Sequence, residues 1–298
     1  MMIREPAVAG MFYAPEREQC LADLRRCLDQ AEKSAAEHDA ASHCQDVVGG
    51  IVPHAGWICS GAVAGRVFQE IVKHKKPQVV ILFGAVHVTH GARATVFPAG
   101  AWETPLGLAK VDDRLSERLL SQTGLLEANP HAHEQEHSIE VQVPFIQHLM
   151  PGAMIVPMMV PVNDKAAALG SAVGKACKIY EVSAVFIGST DLTHYGPSYH
   201  FTPQGVGPAG LAWAKDVNDR RMIDLILSMR EDDVVQEADA SHNACGGGAI
   251  AATIAACKAY GAKRATLLEH TTSFEILSAL HDEPTRDAVG YAGILFEA

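Results

Sequence analysis

Three residue types with reactive side chains, His, Asp and Cys, stand where short apolar runs or small-residue turns would place them together. His54 stands in Pro53-His-Ala-Gly56, directly after the run Val47 to Pro53. Pro53 and Gly56 suit a tight turn. An imidazole in such a turn either hydrogen-bonds loop backbone or serves as a ligand or acid/base group. His87, in Gly84-Ala-Val-His87 after Val79 to Phe83, is placed the same way, and two such positions after neighbouring strands strengthen the functional reading. Asp191 and His194 follow the run Ala184 to Gly188, three residues apart. Asp191 either caps the following turn or orients His194 as a proton-transfer group. Cys245 precedes Gly246-Gly-Gly at the start of an Ala-rich helical stretch. A helix N-terminus presents free N–H groups and positive dipole character, which favour thiolate. Cys245 is then a metal ligand, a nucleophile, or a small thiol packed where the helix meets the sheet.

The segment His131-Ala-His133-Glu-Gln-Glu136-His137 is rich in potential ligands and invites a zinc reading. Glu140 falls one turn after His137, so the pair can meet beside the pocket, facing a ligand or substrate, or can merely pair on a surface. The histidines at 38, 43, 74, 90, 148, 200, 242, 270 and 281 have no comparable context. Neither a Walker loop nor a GxGxxG turn after a strand occurs, which disfavours ATP and dinucleotide cofactors.

The elements that must carry these residues are legible as short Val- and Ile-rich runs separated by helical spacing. Runs at Val47–Pro53, Val79–Phe83, Met154–Val160 and Ala184–Gly188 predict strands of a mostly parallel sheet with helices on both faces. In open α/β sheets, ligands sit beyond the carboxyl ends of strands. That rule brings His54, His87, Asp191 and His194 to one rim. Helices are predicted over 16–37, from a Ser60 cap through Val72, over Glu134–Leu149 with Pro144 kinking or restarting it, over 208–230 and over 246–259. Residues 265–269 and 287–296 read as closing strands, and 37–46 as a polar surface connection. Nothing marks a linker, so residues 1–298 are expected to form a single domain.

The net charge of −11 argues against nucleic acid as a partner, because phosphate binding needs a basic surface. Seven cysteines without a CxxC pair indicate free thiols and a reducing, cytoplasmic setting. The N-terminus has no signal-peptide pattern, and no apolar run is long enough to span a bilayer.

Several motifs in order resemble the Memo family, nearly end to end. They are Arg4-Glu-Pro-Ala-Val-Ala-Gly10-Met-Phe-Tyr13, Pro53-His-Ala-Gly-Trp-Ile-Cys-Ser60-Gly61, Glu136-His-Ser-Ile-Glu-Val-Gln142, Thr190-Asp-Leu-Thr-His-Tyr-Gly196, Asn243-Ala-Cys-Gly246 and Val289-Gly-Tyr-Ala-Gly293. The resemblance is to the Memo component of the AmmeMemoRadiSam system, and it implies a fold like the catalytic subunits of class III extradiol dioxygenases. It implies a metal position formed by His54, His87 and Cys245, with Asp191 and His194 as the catalytic pair. His137, Glu140 and Trp57 are then second-layer or substrate-facing. Two departures stand out: Gly84-Ala-Val-His87 replaces a Gly-Pro-Asn-His type turn, and Trp57 stands where tyrosine is usual.

Three protein ligands with open positions suit iron(II), and a thiolate among them also suits copper(I) or zinc. The leading expectation is metal-dependent, dioxygenase-like redox chemistry on a small substrate, with iron favoured. A Cys245–His194–Asp191 hydrolase is the first alternative. A non-enzymatic module that binds a peptide or partner in the same pocket is the second. The resemblance also implies a place in a modification pathway beside a radical-SAM protein.

Overall fold

In a computed structural model of the chain, residues 1–37, 46–88, 91–280 and 286–298 are described. Residues 38–45 of the polar connection, with Cys44, fall outside them, as do His38, His43, His90 and His281.

The strands at the centre are uniformly apolar, which places them where both faces are covered. Val47–Val52, Ala184–Ser189, Val79–Gly84 and Met154–Met159 lie side by side and parallel, every residue of the first three being buried. Alternation along each strand divides the side chains between two cores. Val79, Ile81, Phe83 and Phe186 face helices Ala166–Ile179 and Gly247–Tyr260, where Leu169, Val173, Ile250 and Ile254 meet them. Val80, Leu82, Val185 and Ile187 face helices Arg17–Glu37 and Trp57–His74 through Cys20, Leu24, Val67 and Phe68. Each fully buried aliphatic or aromatic side chain contributes roughly 1.5–3 kcal/mol relative to exposure.

The four central strands are parallel, and the sheet as a whole is mixed rather than purely parallel. Ala288–Glu297 joins Val47–Val52 antiparallel and also pairs antiparallel with Arg264–Thr272 and with His194–Tyr195. At the far edge, Ala94–Val96 runs antiparallel to Met154–Met159. A separate three-stranded sheet joins Ile3–Arg4, Ala101–Thr104 and Gly107–Lys110. The C-terminal strand Ala288–Glu297 returns to pair with Val47–Val52, and a short-range reading of each run does not reveal such a long-range pairing.

Three helices differ from their sequence readings. The second starts at Trp57, and Ser60 is inside its first turn, with Oγ donating to Ala55 O at 2.8 Å rather than capping. Between Glu134 and Leu149 only Val143–Leu149 is α-helical, with Pro144 in its first turn, where a missing N–H costs nothing. Residues 208–230 form Pro208–Trp213 and Arg220–Leu227 joined by a π turn, Ala214–Asp219.

The parallel register aligns the exits of the strands. Val52 pairs with Ser189, Phe83 with Gly188, and Gly84 with Met159. The residues that follow Val52, Gly84 and Ser189 therefore share one rim.

A histidine-lined candidate metal site

At that rim, the donor atoms of His54, His87 and His137 all lie within 4.8 Å of one another. His87 and His137 stack at 4.4 Å between ring centroids, and His54 stands edge-on to both, at 5.2 and 5.4 Å. Donor atoms on one ion with bonds of about 2.0–2.3 Å lie roughly 3–4.6 Å apart, so three imidazoles so grouped fit a single cation.

Each ring is held from behind. His54 is 1% exposed and donates its peptide N–H to Asp191 Oδ1 at 2.7 Å. Its Nδ1 lies 3.1 Å from Ser189 Oγ. The Ser189 hydroxyl donates its one proton to Ser138 O at 2.6 Å and accepts from Gln142 Nε2 at 3.1 Å. It can therefore only accept from His54, which assigns the proton to Nδ1 and leaves the Nε2 lone pair facing the site. His87 is gripped by Glu136, whose Oε2 accepts from the His87 peptide N–H at 2.8 Å while Oε1 meets Nδ1 at 2.9 Å. Glu136 Oε1 also accepts from the peptides of His137 and Ser138, both at 2.9 Å. A carboxylate on Nδ1 fixes the ring and raises its basicity, leaving Nε2 for an ion. Phe12 packs edge-on against His137 at 5.0 Å.

The charges follow from this packing. Burial, then the positive character of His87 and His137, pushes the His54 imidazole well below its ordinary range. Burial and His87 act likewise on His137. Burial would also lower His87, but its hydrogen bond and charge contact with Glu136 outweigh that and raise it. Burial raises Glu136, yet the bonds from His87 and the neighbouring peptides hold its carboxyl far below the usual carboxylate range.

Cys245 sits at the edge of this group rather than within the imidazole trio. Its Sγ is 3.2 Å from His54 Nε2, a spacing two ligands of one ion can share, and 3.3 Å from Asp191 N. Gly246 makes the approach feasible, because a Cβ there would lie 2.7 Å from Ser189 O. Burial, and then Asp191, pushes the metal-free thiol up, opposite to the lowering expected from a helix N-terminus. The helix begins at Gly247, so the sulfur stands before the free N–H groups.

Asp191 and His194 share the rim without sharing a hydrogen bond. Asp191 spends Oδ1 on the His54 peptide instead of capping a turn. Its carboxyl is pushed up by burial, against the pull of His194. His194 donates Nδ1–H to Leu192 O at 3.0 Å, since a carbonyl can only accept, and Tyr199 lies edge-on to its ring at 5.1 Å. The sulfur of Cys245 contacts the imidazole of His54, so the Cys–His contact in the structure is not the Cys245–His194 pair of a hydrolase reading.

Glu140 and Trp57 brace the site through the N-terminal segment. Glu140 pairs with Arg4 and accepts from Ala7 N at 2.8 Å, Val8 N at 3.0 Å and Tyr13 OH at 2.7 Å. Those bonds replace the contact with His137 expected from helical spacing, because residues 134–139 are not α-helical. Trp57 donates Nε1–H to Val141 O at 3.1 Å and packs against Tyr13 and Phe145. Sequence reasoning missed Glu136, Ser189 and Gln142 as supports. The adjacency of Glu136 to His137, in a segment already rich in ligand types, is the signal that points to the first.

Comparison with known proteins agrees with the length of the resemblance. Residues 4–295 match a family model described as Memo-like protein. A MEMO1 family protein of Caldivirga maquilingensis is 34% identical over 301 residues, covering 99% of each chain. One from Pyrococcus furiosus is 35% identical over 301 residues, also 99% of each chain. One from Methanothermobacter thermautotrophicus is 36% identical over 299 residues, 98% of this chain and 99% of the other. A solved structure of an uncharacterized protein from Escherichia coli K12 superposes with a TM-score of 0.48 at 13% identity, covering 76% of this chain and 91% of that one. No helix of the described residues is long and apolar enough to cross a membrane.

Proposed function

The chain belongs to the Memo family, and from that premise we propose that it is a metal-dependent, dioxygenase-like redox protein whose ion is held by His54, His87 and His137 with Cys245 beside His54. The observation that carries the reading is the mutual approach of three imidazole donors within 4.8 Å at the exits of parallel strands. The donor set is nitrogen-rich with one adjoining sulfur, which suits iron(II) and also copper(I) or zinc. Iron in that place supplies one-electron and dioxygen chemistry.

The chain's own residues do the rest. Ser189 and Glu136 orient two of the rings and set which nitrogen faces the ion. His54 and His137 are kept neutral by burial, as ligands must be. His194, with Nδ1 committed to Leu192 O, exchanges a proton at Nε2. Asp191 ties the His54 peptide to the loop that carries His194. The substrate is a small molecule or a short peptide, in a cytoplasmic pathway shared with a radical-SAM protein. The described cysteines, all free thiols, support the reducing compartment.

Anaerobic titration with iron(II), followed by elemental analysis, tests the proposal. Wild-type protein takes up one ion, and His54→Ala and His137→Ala lose it. Cys245→Ser retains binding with weaker affinity. Equal uptake by wild type and both histidine variants removes the basis of the reading.

A further inference from the structure

We propose that Asn218 and Asp219, on the π turn Ala214–Asp219, are positioning residues that hold the His194 loop and the Cys245 loop in one register. A π turn inserts a residue into a helix and re-aims the side chains around it, and such turns concentrate at functional sites. Here it turns two consecutive polar side chains inward, Asn218 fully buried and Asp219 1% exposed.

Both grip Thr193, the residue before His194. Asp219 Oδ1 accepts from Thr193 N at 2.9 Å, and Asn218 Nδ2 donates to Thr193 Oγ1 at 3.1 Å. The orientation of the Asn218 amide is set by its other bond, to Ser241 O at 2.9 Å, because a carbonyl can only accept. The main chain of Asn218 reaches the other loop. Its carbonyl accepts from Asn243 Nδ2 at 2.9 Å, two residues before Cys245. Adjacent residues of one turn thus hold neighbours of His194 and of Cys245 at once.

The C-terminal strand completes the grip. Thr193 O accepts from Gly290 N at 3.0 Å, and Leu192 N donates to Gly290 O at 2.8 Å. A Cβ on Gly290 would lie 2.0 Å from Asp219 Oδ2, so glycine there is what lets the carboxylate lie against the strand. Asp219 Oδ2 is in turn held by His270 Nε2 at 3.0 Å. Asp219 touches neither His194 nor Cys245. Its effect passes through Thr193, whose displacement would move the Leu192 carbonyl that holds His194 Nδ1 and the Asp191 backbone that meets the Cys245 sulfur.

The test uses full-length protein, Asp219→Ala, the conservative Asp219→Asn, Asn218→Ser, and Leu169→Ala as a core control remote from the site. Its cobalt arm rests on the proposed metal site; its metal-free arm does not. In metal-free protein, nitrogen-15 imidazole spectra show the His194 Nδ1 proton held by Leu192 O. The proposal expects that signal to vanish in Asp219→Ala and Asn218→Ser, and to persist in Asp219→Asn, where the amide oxygen still accepts from Thr193 N, and in Leu169→Ala. With cobalt(II) as probe, Asp219→Ala shifts the visible bands and binds about tenfold more weakly, while Leu169→Ala keeps the wild-type spectrum at a comparable loss of thermal stability. Should Asp219→Ala fail to fold, Asn218→Ser carries the same expectation. An unchanged His194 signal in a folded Asp219→Ala or Asn218→Ser protein, or equal changes in Leu169→Ala, overturns the positioning role. Absence of cobalt uptake by wild type counts against the metal site alone, and the imidazole spectra still decide the positioning role.

Discussion

Glu136 binds His87 twice, its Oε2 accepting the peptide N–H at 2.8 Å and its Oε1 meeting Nδ1 at 2.9 Å. One buried carboxylate therefore sets the backbone and the ring plane of the same ligand, and the same Oε1 anchors the peptide of His137 at 2.9 Å. Glu136→Gln keeps the shape but removes the charge and one acceptor. Metal affinity is expected to fall about 10–100-fold, the usual effect of losing a carboxylate behind a ligating histidine. Isothermal titration with cobalt(II) or iron(II) measures it. An unchanged affinity would show that Glu136 serves packing only.

The same pair makes metal uptake and stability pH-dependent. His87 is the imidazole of the trio that is raised above its ordinary 6.5, whereas burial lowers His54 and His137. The proton that competes with the metal is therefore the one on His87, and affinity falls as pH falls through its titration, approaching about tenfold per pH unit. In metal-free protein the raised His87 stabilises the fold most below 6.5, and this is lost as pH rises through its folded value. The depressed Glu136 stabilises above 4.5, and this is lost as pH falls towards its folded value. The pair thus contributes most between about 4.5 and 6.5. Thermal melts of metal-free wild type and Glu136→Gln across pH 4 to 8 test this. Their difference is largest near the middle of that window, and a constant difference would contradict it.

The rim position of His54 and His87 was legible because two independent local signals coincided: an apolar run long enough for a strand, then a turn-forming residue beside a histidine. The parallel core obeys the rule that ligands lie beyond strand ends, so Val52, Gly84 and Ser189 deliver the residues that follow them to one place. His137 is different. The helical spacing that paired it with Glu140 does not hold, because residues 134–139 form turns and irregular backbone rather than α-helix. Its place in the trio depends on Glu136 reaching across to His87, 49 residues away, and no local pattern encodes that. The helix Asp113–Thr123 carries its own local marks: Asp112 Oδ1 accepts from Leu115 N at 3.0 Å and Gly124 closes the helix in the left-handed region. The split of residues 208–230 by a π turn has no such local mark, since both halves keep helical spacing of their apolar residues.

Gly246 lets Cys245 reach the site. A Cβ would meet Ser189 O at 2.7 Å and Thr190 Cβ at 2.8 Å, and both neighbours belong to the strand exit that supports His54. Backbone gives way less readily than a flexible side chain, so Gly246→Ala is expected to cost about 1–3 kcal/mol. The loop carrying the sulfur would also be displaced from His54. Two readouts separate these effects: thermal unfolding, and the sulfur-to-cobalt charge-transfer band of the loaded protein. Loss of the band with retained cobalt binding is the expected pattern, since the three imidazoles remain. A variant with wild-type stability and an intact band would show that the loop tolerates the methyl group.

The Arg4–Glu140 pair lies behind the histidine site with both side chains 1% exposed. Glu140 also collects Ala7 N, Val8 N and Tyr13 OH, while Arg4 donates to His133 O at 3.0 Å and Glu136 O at 2.6 Å. The N-terminal segment, the turn carrying His137 and the carboxylate behind His87 are thereby joined in one buried network. Removing one partner leaves the other charged in a dry environment, so Glu140→Ala is expected to destabilise by about 3–5 kcal/mol. The double variant Arg4→Met/Glu140→Leu removes both charges and retains volume. Its loss should be smaller than that of Glu140→Ala if an uncompensated charge dominates, and larger if the Arg4 bonds to the His133 and Glu136 carbonyls, which Glu140→Ala keeps, dominate. Because that carboxylate also anchors two peptide N–H groups that no apolar side chain can satisfy, the expected order is wild type, double variant, then Glu140→Ala, with the double variant well short of wild type. Chemical denaturation of the three proteins at one pH, with limited proteolysis of the first 13 residues, measures both the order and the release of the N-terminal segment.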